Sequence, residues 1–286
     1  MGSPLGAFLC PPGYAGPSGF GALARESSAA VEVARLVRRT ASDRLHRRDR
    51  ASASRMPTRS TNPLVLVPGF LAGDLALLPM SRFLRRLGHR TYRSTMHANV
   101  GCTQEASCAL ERRIESVAIR RERPVTLVGH SLGGLLARSV AARRPDLVAG
   151  IVTLGSPLLA PGAVHPLLAL DIAVVTALRR AGVGALMGSD CTSGDCARLS
   201  WEASQAPLAD GLPFTSVYSR RDGIVDWRGC LDPAAETVEV TTSHLGMALD
   251  PAVFDIVAER VGGIRAEATA LSRRASLAAV PDASAG

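Results

Sequence analysis

Lysine is absent from this sequence of 286 residues, and all 33 basic residues are arginine. We read this bias as the mark of a GC-rich genome, so it says little about phosphate binding. The positive charge is concentrated at one end, because residues 1–60 contain ten arginines and four acidic residues. That segment carries +6 of the net charge of +8. Residues 61–286 are therefore close to neutral, which argues against nucleic-acid binding by this part of the chain.

Long apolar runs are also absent. None reaches the roughly 18 residues that a transmembrane helix needs, and the most apolar segment, Leu167 to Leu178, is interrupted by Asp171. Residues 1–21 lack the basic segment followed by an apolar segment that defines a cleavable secretory signal. We therefore expect a soluble protein of the cytoplasm, with a secreted or a membrane-peripheral protein as the alternatives.

Patterns of metal ligands are missing too. The six cysteines form no C-x-x-C pair, and no histidine has the spacing of a zinc site. We therefore expect no metal site and no cofactor. Cys102 with Cys108, and Cys191 with Cys196, are close enough in sequence to form disulfides, but free thiols are the expectation in the cytoplasm.

The most informative segment runs from Thr126 to Gly134 and reads TLVGHSLGG. It predicts a buried strand, a tight turn at Ser131 and then a buried helix. A serine in such a turn has a strained backbone, so the residues two before and two after it must be small. Gly129 and Gly133 meet this requirement. The pattern is typical of a nucleophile elbow, which presents a catalytic serine.

Strand and helix patterns alternate on both sides of this motif. Apolar or half-polar runs predict strands at 64–67, 91–95, 125–128, 150–154, 214–218 and 237–241. Helical periodicity predicts helices between them, and the last helix has Asp250 as its N-cap and Gly262 and Gly263 as its stop. The alternation predicts an α/β fold with a mostly parallel sheet and helices on both faces.

The alternation lapses in one internal segment and at both ends of the chain. We expect the core of the fold at 61–157 and 213–263, with a helical cap inserted at 158–212. Residues 1–60 are expected to form a basic extension that is largely disordered or partly helical. Residues 264–286 are expected to form a flexible tail.

The predicted cap is apolar and suits one long helix or two short ones. Its leucines and valines fit an acyl pocket or interfacial lid, and they fit ordinary packing on the core equally well. These residues are Leu167, Leu168, Leu170, Val174, Val175 and Leu178.

A catalytic serine needs a general base, and the base needs a carboxylate that orients it. In a doubly wound sheet, active sites gather at the carboxyl ends of the strands. His244 follows the last predicted strand, so its loop converges on Ser131 and we expect it to be the base. His130 adjoins the serine and points away from it.

The carboxylate belongs between the serine and the histidine in the order of this fold. Asp222 follows the strand at 214–218 by four residues, and the apolar residues after it favour a packed loop. Asp226 is the alternative, although it equally suits a surface or capping carboxylate. We favour Asp222.

Acyl transfer also needs two N–H donors for the oxyanion. The amide of Leu132, directly after the serine, is the first candidate. The second is the amide of Phe70, which follows Pro68 and Gly69 in the turn after the first strand.

Together these motifs resemble those of the bacterial α/β-hydrolase lipases and esterases, and within them the triacylglycerol-lipase-like and GPI-inositol-deacylase-like group. The resemblance covers about residues 62–262 and rests on VPGF at 67–70, GHSLGG at 129–134, LGSP at 154–157, YSRRDGIVDW at 218–227 and SHLGM at 243–247. It implies an α/β-hydrolase fold, a triad of Ser131, Asp222 and His244, and oxyanion donors at Phe70 and Leu132.

The resemblance also bears on the cysteines. Relatives carry cysteines near Cys191, Cys196 and Cys230, which implies a structural disulfide there.

The sequence therefore predicts a serine carboxylic-ester hydrolase that forms an acyl-enzyme on Ser131. Its expected partner is a small acyl ester or a lipid. The expectation includes transient contact with a membrane surface, but it does not include nucleic acid. One alternative is an acyltransferase of the same fold. The other is a degenerate hydrolase that associates with membranes or nucleic acid through residues 1–60.

Overall fold

The computed structural model describes residues 5–45 and 62–278. Its centre is a six-stranded sheet with the strands β1 Leu64–Val67, β2 Thr91–Arg93, β3 Val125–His130, β4 Val148–Leu154, β5 Phe214–Ser219 and β6 Glu236–Val240. Their order across the sheet is β2-β1-β3-β4-β5-β6, and every neighbouring pair is parallel. The predicted parallel sheet is confirmed.

Helices separate the strands and flank the sheet. They are α1 Gly19–Glu26, α2 Ala29–Leu45, α3 Leu78–Arg86, α4 Thr103–Arg121, α5 Leu132–Arg143, α6 Pro166–Arg180, α7 Asp190–Ser193, α8 Asp195–Gln205 and α9 Pro251–Ala278. Within the two described ranges, no helix combines the length and the apolar character that crossing a membrane requires.

Both faces of the sheet are buried, as β1 illustrates. Successive side chains of a strand point to opposite faces, and all four residues of β1 are buried. Val65 and Val67 pack in one core with α4 and α5, whereas Leu64 and Leu66 pack in a second core with α3 and α9. Burial on both faces explains why β1 is a continuous apolar run in the sequence, whereas the edge strand β6 is exposed or half-buried and contains two glutamates.

The strand register brings five turns and loops to one edge of the sheet. Val67 at the end of β1 pairs with Gly129 of β3, and His130 at the end of β3 pairs with Leu154 of β4. Ser219 at the end of β5 pairs with Val240 at the end of β6. The turns after β1, β3 and β4 and the loops after β5 and β6 therefore leave the sheet at its carboxyl edge, where the candidate site lies.

The last helix begins as predicted and continues past its predicted end. Asp250 Oδ1 accepts a hydrogen bond from the Ala252 N–H at 2.8 Å, which caps the start of α9. Gly262 and Gly263 do not stop the helix, which runs to Ala278. A glycine costs a helix only about 1 kcal/mol relative to alanine, and good helix formers follow. The predicted tail is therefore helical to residue 278, and residues 279–286 lie outside the described residues.

The N-terminal segment is packed on the body. Of the two expectations for residues 1–60, a largely disordered or a partly helical extension, residues 5–45 fit the partly helical one. Leu9 is 7% exposed. The Gly6 N–H donates to the Thr192 carbonyl at 2.9 Å, and the Gly162 N–H donates to the Leu9 carbonyl at 2.6 Å. Burial of apolar side chains and main-chain hydrogen bonds thus order residues 5–45, of which α1 and α2 are helical. Residues 46–60 of the predicted extension lie outside the described residues.

Arginines of α2 bind acidic residues at the start of α9. Arg35 pairs with Asp250 at 3.0 Å. Arg39 makes two hydrogen bonds to Asp255, at 2.6 and 2.9 Å. Part of the basic charge of residues 1–60 is therefore used in attaching α2 to the core of the fold.

The segment predicted as a cap lies between β4 and β5 and contains α6, α7 and α8. Its long apolar stretch forms the single helix α6. Ile172, Val175 and Met187 are buried in a small core under this helix. One face of α6 is exposed to solvent, at Leu167, Leu170, Val174 and Leu178.

Candidate active site

Ser131 occupies the strained turn that the sequence predicts between β3 and α5. Its backbone has φ 51° and ψ −122°. A Cβ atom on Gly129 would lie 2.5 Å from the Gly133 carbonyl oxygen, and one on Gly133 would lie 2.2 Å from the Val67 carbonyl oxygen. Close approach of the main chain therefore requires glycine at both positions.

His244 and Asp222 meet at the carboxyl edge of the sheet. The His244 Nδ1–H donates to Asp222 Oδ2 at 2.6 Å, and both residues are almost completely buried. Asp222 Oδ1 accepts hydrogen bonds from the main-chain N–H groups of Ile224 and Val225, each at 2.8 Å. The loop after β5 thus fixes the carboxylate, and the carboxylate fixes the orientation of the imidazole.

Asp226, the alternative carboxylate, has a different role. It caps the short 3-10 helix Trp227–Cys230 by accepting the Arg228 N–H at 3.1 Å, and it pairs with the Arg228 guanidinium at 2.6 Å. Burial is the largest single effect and opposes its charged form, but the hydrogen bonds from Arg228 and from the Ala15 N–H, with the charge of Arg228, together outweigh burial and lower the pKa of Asp226. The structure does not bring Asp226 to His244.

The electrostatic surroundings of His244 favour its protonated form. Burial alone would lower the pKa of the imidazole, but the charge of Asp222 and its hydrogen bond outweigh burial, and Glu26 adds to them. The pKa of His244 is therefore raised above its ordinary value. Because Nδ1 donates to Asp222, Nε2 is the nitrogen that remains to accept a proton.

Main-chain contacts connect the serine turn to the histidine ring. The Ser131 N–H donates to the Leu154 carbonyl at 2.9 Å. The next residue, Gly155, has φ 55°, and a Cβ atom on it would lie 3.1 Å from His244 Nδ1. The end of β4 therefore packs against both Ser131 and His244.

His130 holds the histidine loop. Its Nε2–H donates to the His244 carbonyl at 3.0 Å. Burial, with a smaller effect from His244, lowers the pKa of His130 to about 4. His130 is therefore neutral at neutral pH and engaged with the main chain, as expected of a residue that is not the base.

The two candidate oxyanion donors line the same cavity as Ser131. Leu132 is the first residue of α5, and the first N–H groups of a helix have no partner within it. In the turn that contains Phe70, a Cβ atom on Gly69 would lie 3.1 Å from Ser131 Cβ. Asn99 Nδ2 donates to the Pro68 carbonyl at 2.9 Å and braces this turn.

A cavity of about 600 Å³ extends from Ser131 beneath the cap. Of the six apolar cap residues singled out in the sequence, Leu168 lines it. The expected acyl pocket is instead lined by α5, the N-terminal segment and other parts of the cap, including Leu5, Leu9, Leu132, Leu135, Ile172 and Met187.

Two glutamates of the N-terminal helices bind the histidine loop, and neither was predicted. Glu26 Oε1 accepts the N–H groups of His244 at 2.9 Å and Gly223 at 2.8 Å. Glu32 is 2% exposed and accepts the N–H of Ser243 at 2.9 Å and its hydroxyl at 2.7 Å. No sequence signal points to these contacts, because each joins residues about 200 positions apart.

All six cysteines are free thiols, so the disulfide that the family resemblance implies near Cys191, Cys196 and Cys230 is not formed. Cys230 is buried in a separate apolar cluster. Within the described ranges, the sulfurs of Cys102, Cys191 and Cys196 all lie within 4.8 Å of one another, which is close enough to hold a metal ion. The sequence does not predict this cluster.

Comparison with known proteins agrees with this geometry. The family model described as the alpha/beta hydrolase fold matches residues 117–180. A triacylglycerol lipase of Vibrio cholerae serotype O1 (strain ATCC 39315 / El Tor Inaba N16961) is 33% identical over 104 residues. That alignment covers 34% of this chain, and the chain spans about a third of the relative's length, 33%.

Solved structures of Bacillus licheniformis lipase BlEst2 share the fold. The mature form has a TM-score of 0.56 and 14% identity, and the match covers 72% of this chain and 94% of the other. The propeptide form has a TM-score of 0.55 and 15% identity, with 71% and 51% covered. Sheet order, serine turn and these likenesses together show that the chain has the α/β-hydrolase fold.

Proposed function

We propose that this protein is a serine carboxylic-ester hydrolase that cleaves lipid or other acyl esters. The observation that carries the proposal is the buried pair of His244 and Asp222, 2.6 Å apart, at the same sheet edge as the strained Ser131 turn. A nucleophile, a base with one free nitrogen and a carboxylate that orients the base are the components of a serine hydrolase.

In the first half-reaction, Ser131 Oγ attacks the ester carbonyl carbon while His244 Nε2 takes the hydroxyl proton. Asp222 stabilises the imidazolium that forms, since its carboxylate is already hydrogen-bonded to Nδ1. The N–H groups of Phe70 and Leu132 stabilise the oxyanion. The tetrahedral intermediate then expels the alcohol, which receives the proton from His244 and leaves an acyl group on Ser131.

In the second half-reaction, water enters and His244 removes one of its protons. The hydroxide attacks the acyl carbon, and a second tetrahedral intermediate forms at the same oxyanion donors. Its collapse returns the proton from His244 to Ser131 Oγ and releases the carboxylic acid. The enzyme ends in its starting protonation state.

The cavity and the cap favour an apolar acyl group. The cavity beside Ser131 has a volume of about 600 Å³, which is in the range that holds a drug-sized ligand, and leucines line much of it. The exposed apolar face of α6 suits contact with an aggregated or lipid-like substrate. The likeness to a triacylglycerol lipase supports the same substrate class.

Hydrolysis of p-nitrophenyl esters of increasing acyl length tests the proposal. We expect turnover by the wild type and by Ser116→Ala, an exposed serine on α4. We expect a loss of roughly 10³-fold or more for Ser131→Ala. Equal turnover by Ser131→Ala and the wild type would contradict the mechanism.

The same assay separates hydrolysis from acyl transfer. With glycerol or a long-chain alcohol added, a hydrolase releases mainly free fatty acid, whereas an acyltransferase of this fold releases mainly the new ester. Free acid as the dominant product supports the proposal, and dominant transfer to the alcohol contradicts it.

A further inference from the structure

We propose that Cys102, Cys191 and Cys196 form a binding site for one thiophilic divalent metal ion, of which Zn²⁺ is the ordinary biological example. The site lies outside the Ser131 machinery, at the junction between the hydrolase core and the cap. It does not depend on the proposed ester hydrolysis.

The spacing of the three sulfurs fits a metal ion. Cys102 Sγ lies 3.4 Å from Cys196 Sγ, and Cys196 Sγ lies 3.7 Å from Cys191 Sγ. All three sulfurs lie within 4.8 Å of one another. In a tetrahedral zinc site with Zn–S bonds of about 2.3 Å, two sulfurs are about 3.8 Å apart. Small side-chain rotations therefore place all three sulfurs at bonding distance from one ion.

The three thiols come from three separate elements. Cys102 is the N-cap residue of α4 in the core, Cys191 lies in α7, and Cys196 lies in the first turn of α8. Burial raises the pKa of the Cys191 and Cys196 thiols, so the bound ion itself would drive their deprotonation. An ion bound here would connect the core to two helices of the cap.

The surroundings of the site are partly closed. Cys191 packs against the small apolar core of Ile172, Val175 and Met187. It also lines the wall of the cavity that contains Ser131. The three thiols are half-buried, so an ion can reach them while most bulk water is excluded. The fourth coordination position is left to water.

Binding of a divalent metal ion to the three thiols changes no oxidation state, so it needs no oxidant. The ion replaces the thiol protons of its ligands, up to three protons pass to solvent, and three S–M bonds form. A Cys102–Cys196 disulfide would instead require removal of two electrons by an external oxidant, and it would leave Cys191 as a lone thiol. The two outcomes are therefore chemically distinct.

Cadmium titration of the full-length, fully reduced protein tests the site. Cd²⁺ reports thiolate ligation through a near-ultraviolet charge-transfer band, and native mass spectrometry counts the ions. Cys108→Ser is the matched control, because Cys108 is an exposed cysteine on the same helix as Cys102. Zn²⁺ is then measured by competition with Cd²⁺.

We expect one ion per chain in the wild type and in Cys108→Ser, with release of protons. Cys102→Ser and Cys196→Ser should each weaken the affinity by more than the roughly tenfold that loss of an outer-shell contact costs. Zn²⁺ should raise the Tm of the wild type and of the control, but not of Cys102→Ser.

Two results would overturn the proposal. One is no stoichiometric ion in the reduced wild type, whose fold is verified by circular dichroism. The other is unchanged binding in Cys102→Ser and Cys196→Ser, which would place the ion elsewhere.

Discussion

Glu26 accepts a hydrogen bond from the main-chain N–H of His244 at 2.9 Å, and the same oxygen accepts the N–H of Gly223 at 2.8 Å. Gly223 directly follows Asp222, so one carboxylate from α1 joins the loop of the acid to the loop of the base. Glu26 touches neither the substrate nor the reacting atoms in the proposed mechanism. It is a positioning residue supplied by the N-terminal segment.

Replacing Glu26 with glutamine should lower kcat and shift the pH profile. Glutamine keeps one oxygen for the N–H groups of Gly223 and His244, but an amide NH₂ replaces the oxygen that accepts the Leu245 N–H at 3.2 Å. Loss of that bond loosens the histidine loop, and a small displacement of catalytic groups costs roughly tenfold or more in rate. Glu26 also raises the pKa of His244, so removing its charge lowers that pKa. His244 then stays neutral to a lower pH, and the acidic limb of kcat/KM moves to lower pH.

The control for this experiment is Glu259→Gln, which neutralises an exposed glutamate on α9. Its pH profile should match that of the wild type. A Glu26→Gln profile with an unmoved acidic limb would show that Glu26 only stabilises the fold.

Replacing Asp222 or Asp226 with asparagine should affect the enzyme in different ways. Asp222→Asn should reduce kcat by about 10⁴-fold, since an amide can leave the imidazole in the wrong tautomer. Asp226→Asn should keep kcat within a few-fold and lower the Tm, because Asp226 caps a 3-10 helix and pairs with Arg228. Ester hydrolysis and thermal unfolding of both variants measure this contrast, and a larger rate loss in Asp226→Asn would reverse the assignment.

His130 should make the fold less stable as pH falls. The pKa of His130 is lowered to about 4 in the folded protein, against about 6.5 when unfolded. The unfolded chain therefore binds a proton on His130 more tightly than the folded protein does. The contribution of His130 to the free energy of unfolding is fully present above the unfolded pKa, and it is lost as the pH falls towards the folded pKa. From pH 7 to pH 5 this contribution is about 2 kcal/mol.

Urea unfolding of the wild type and of His130→Gln at both pH values measures this effect. Glutamine keeps a donor for the His244 carbonyl and does not titrate. The wild type should lose about 2 kcal/mol more than the variant over this interval. Equal losses would mean that His130 does not titrate in the way its burial requires.

The buried pair of Arg138 and Asp232, with nitrogen and oxygen 2.5 Å apart, should be critical for stability. Arg138 also donates to the carbonyl groups of Ser204 and Ala206, so it fastens α5 to the end of α8. Arg138→Met leaves Asp232 buried and unpaired, which should reduce the free energy of unfolding by about 3–5 kcal/mol. Arg179→Met, an exposed arginine on α6, should change it by less than about 0.5 kcal/mol.

Strands, helices and tight turns are predictable from the sequence where their form depends on residues that are close together in the chain. The inner strand β1 is an apolar run because helices cover both faces of the sheet there, and the edge strand β6 is half-polar because it is partly exposed. The turn at Ser131 is visible because glycine stands two residues before and two residues after the serine. A Cβ atom on Gly129 would clash within the turn, and one on Gly133 would clash with the end of β1. The end of α9 is predicted wrongly, since two glycines weaken a helix without ending it when good helix formers follow.

Long-range contacts explain what the sequence does not reveal. Glu26 and His244 are 218 residues apart, and nothing near Glu26 marks it as an acceptor for a distant loop. Cys102 and Cys196 are 94 residues apart, so their proximity leaves no ligand spacing to recognise. The N-terminal arginines suggest a detached extension, yet Arg35 and Arg39 are matched to acids at the start of α9.

The most direct test of the central claim is the turnover of a p-nitrophenyl ester by Ser131→Ala beside the wild type, with Ser116→Ala as the control. The proposed mechanism predicts that the wild type and the control release p-nitrophenol at the same rate. It predicts a loss of roughly 10³-fold or more for Ser131→Ala, since the attacking oxygen is gone. Undiminished turnover by a folded Ser131→Ala protein would contradict the claim that Ser131 is the nucleophile.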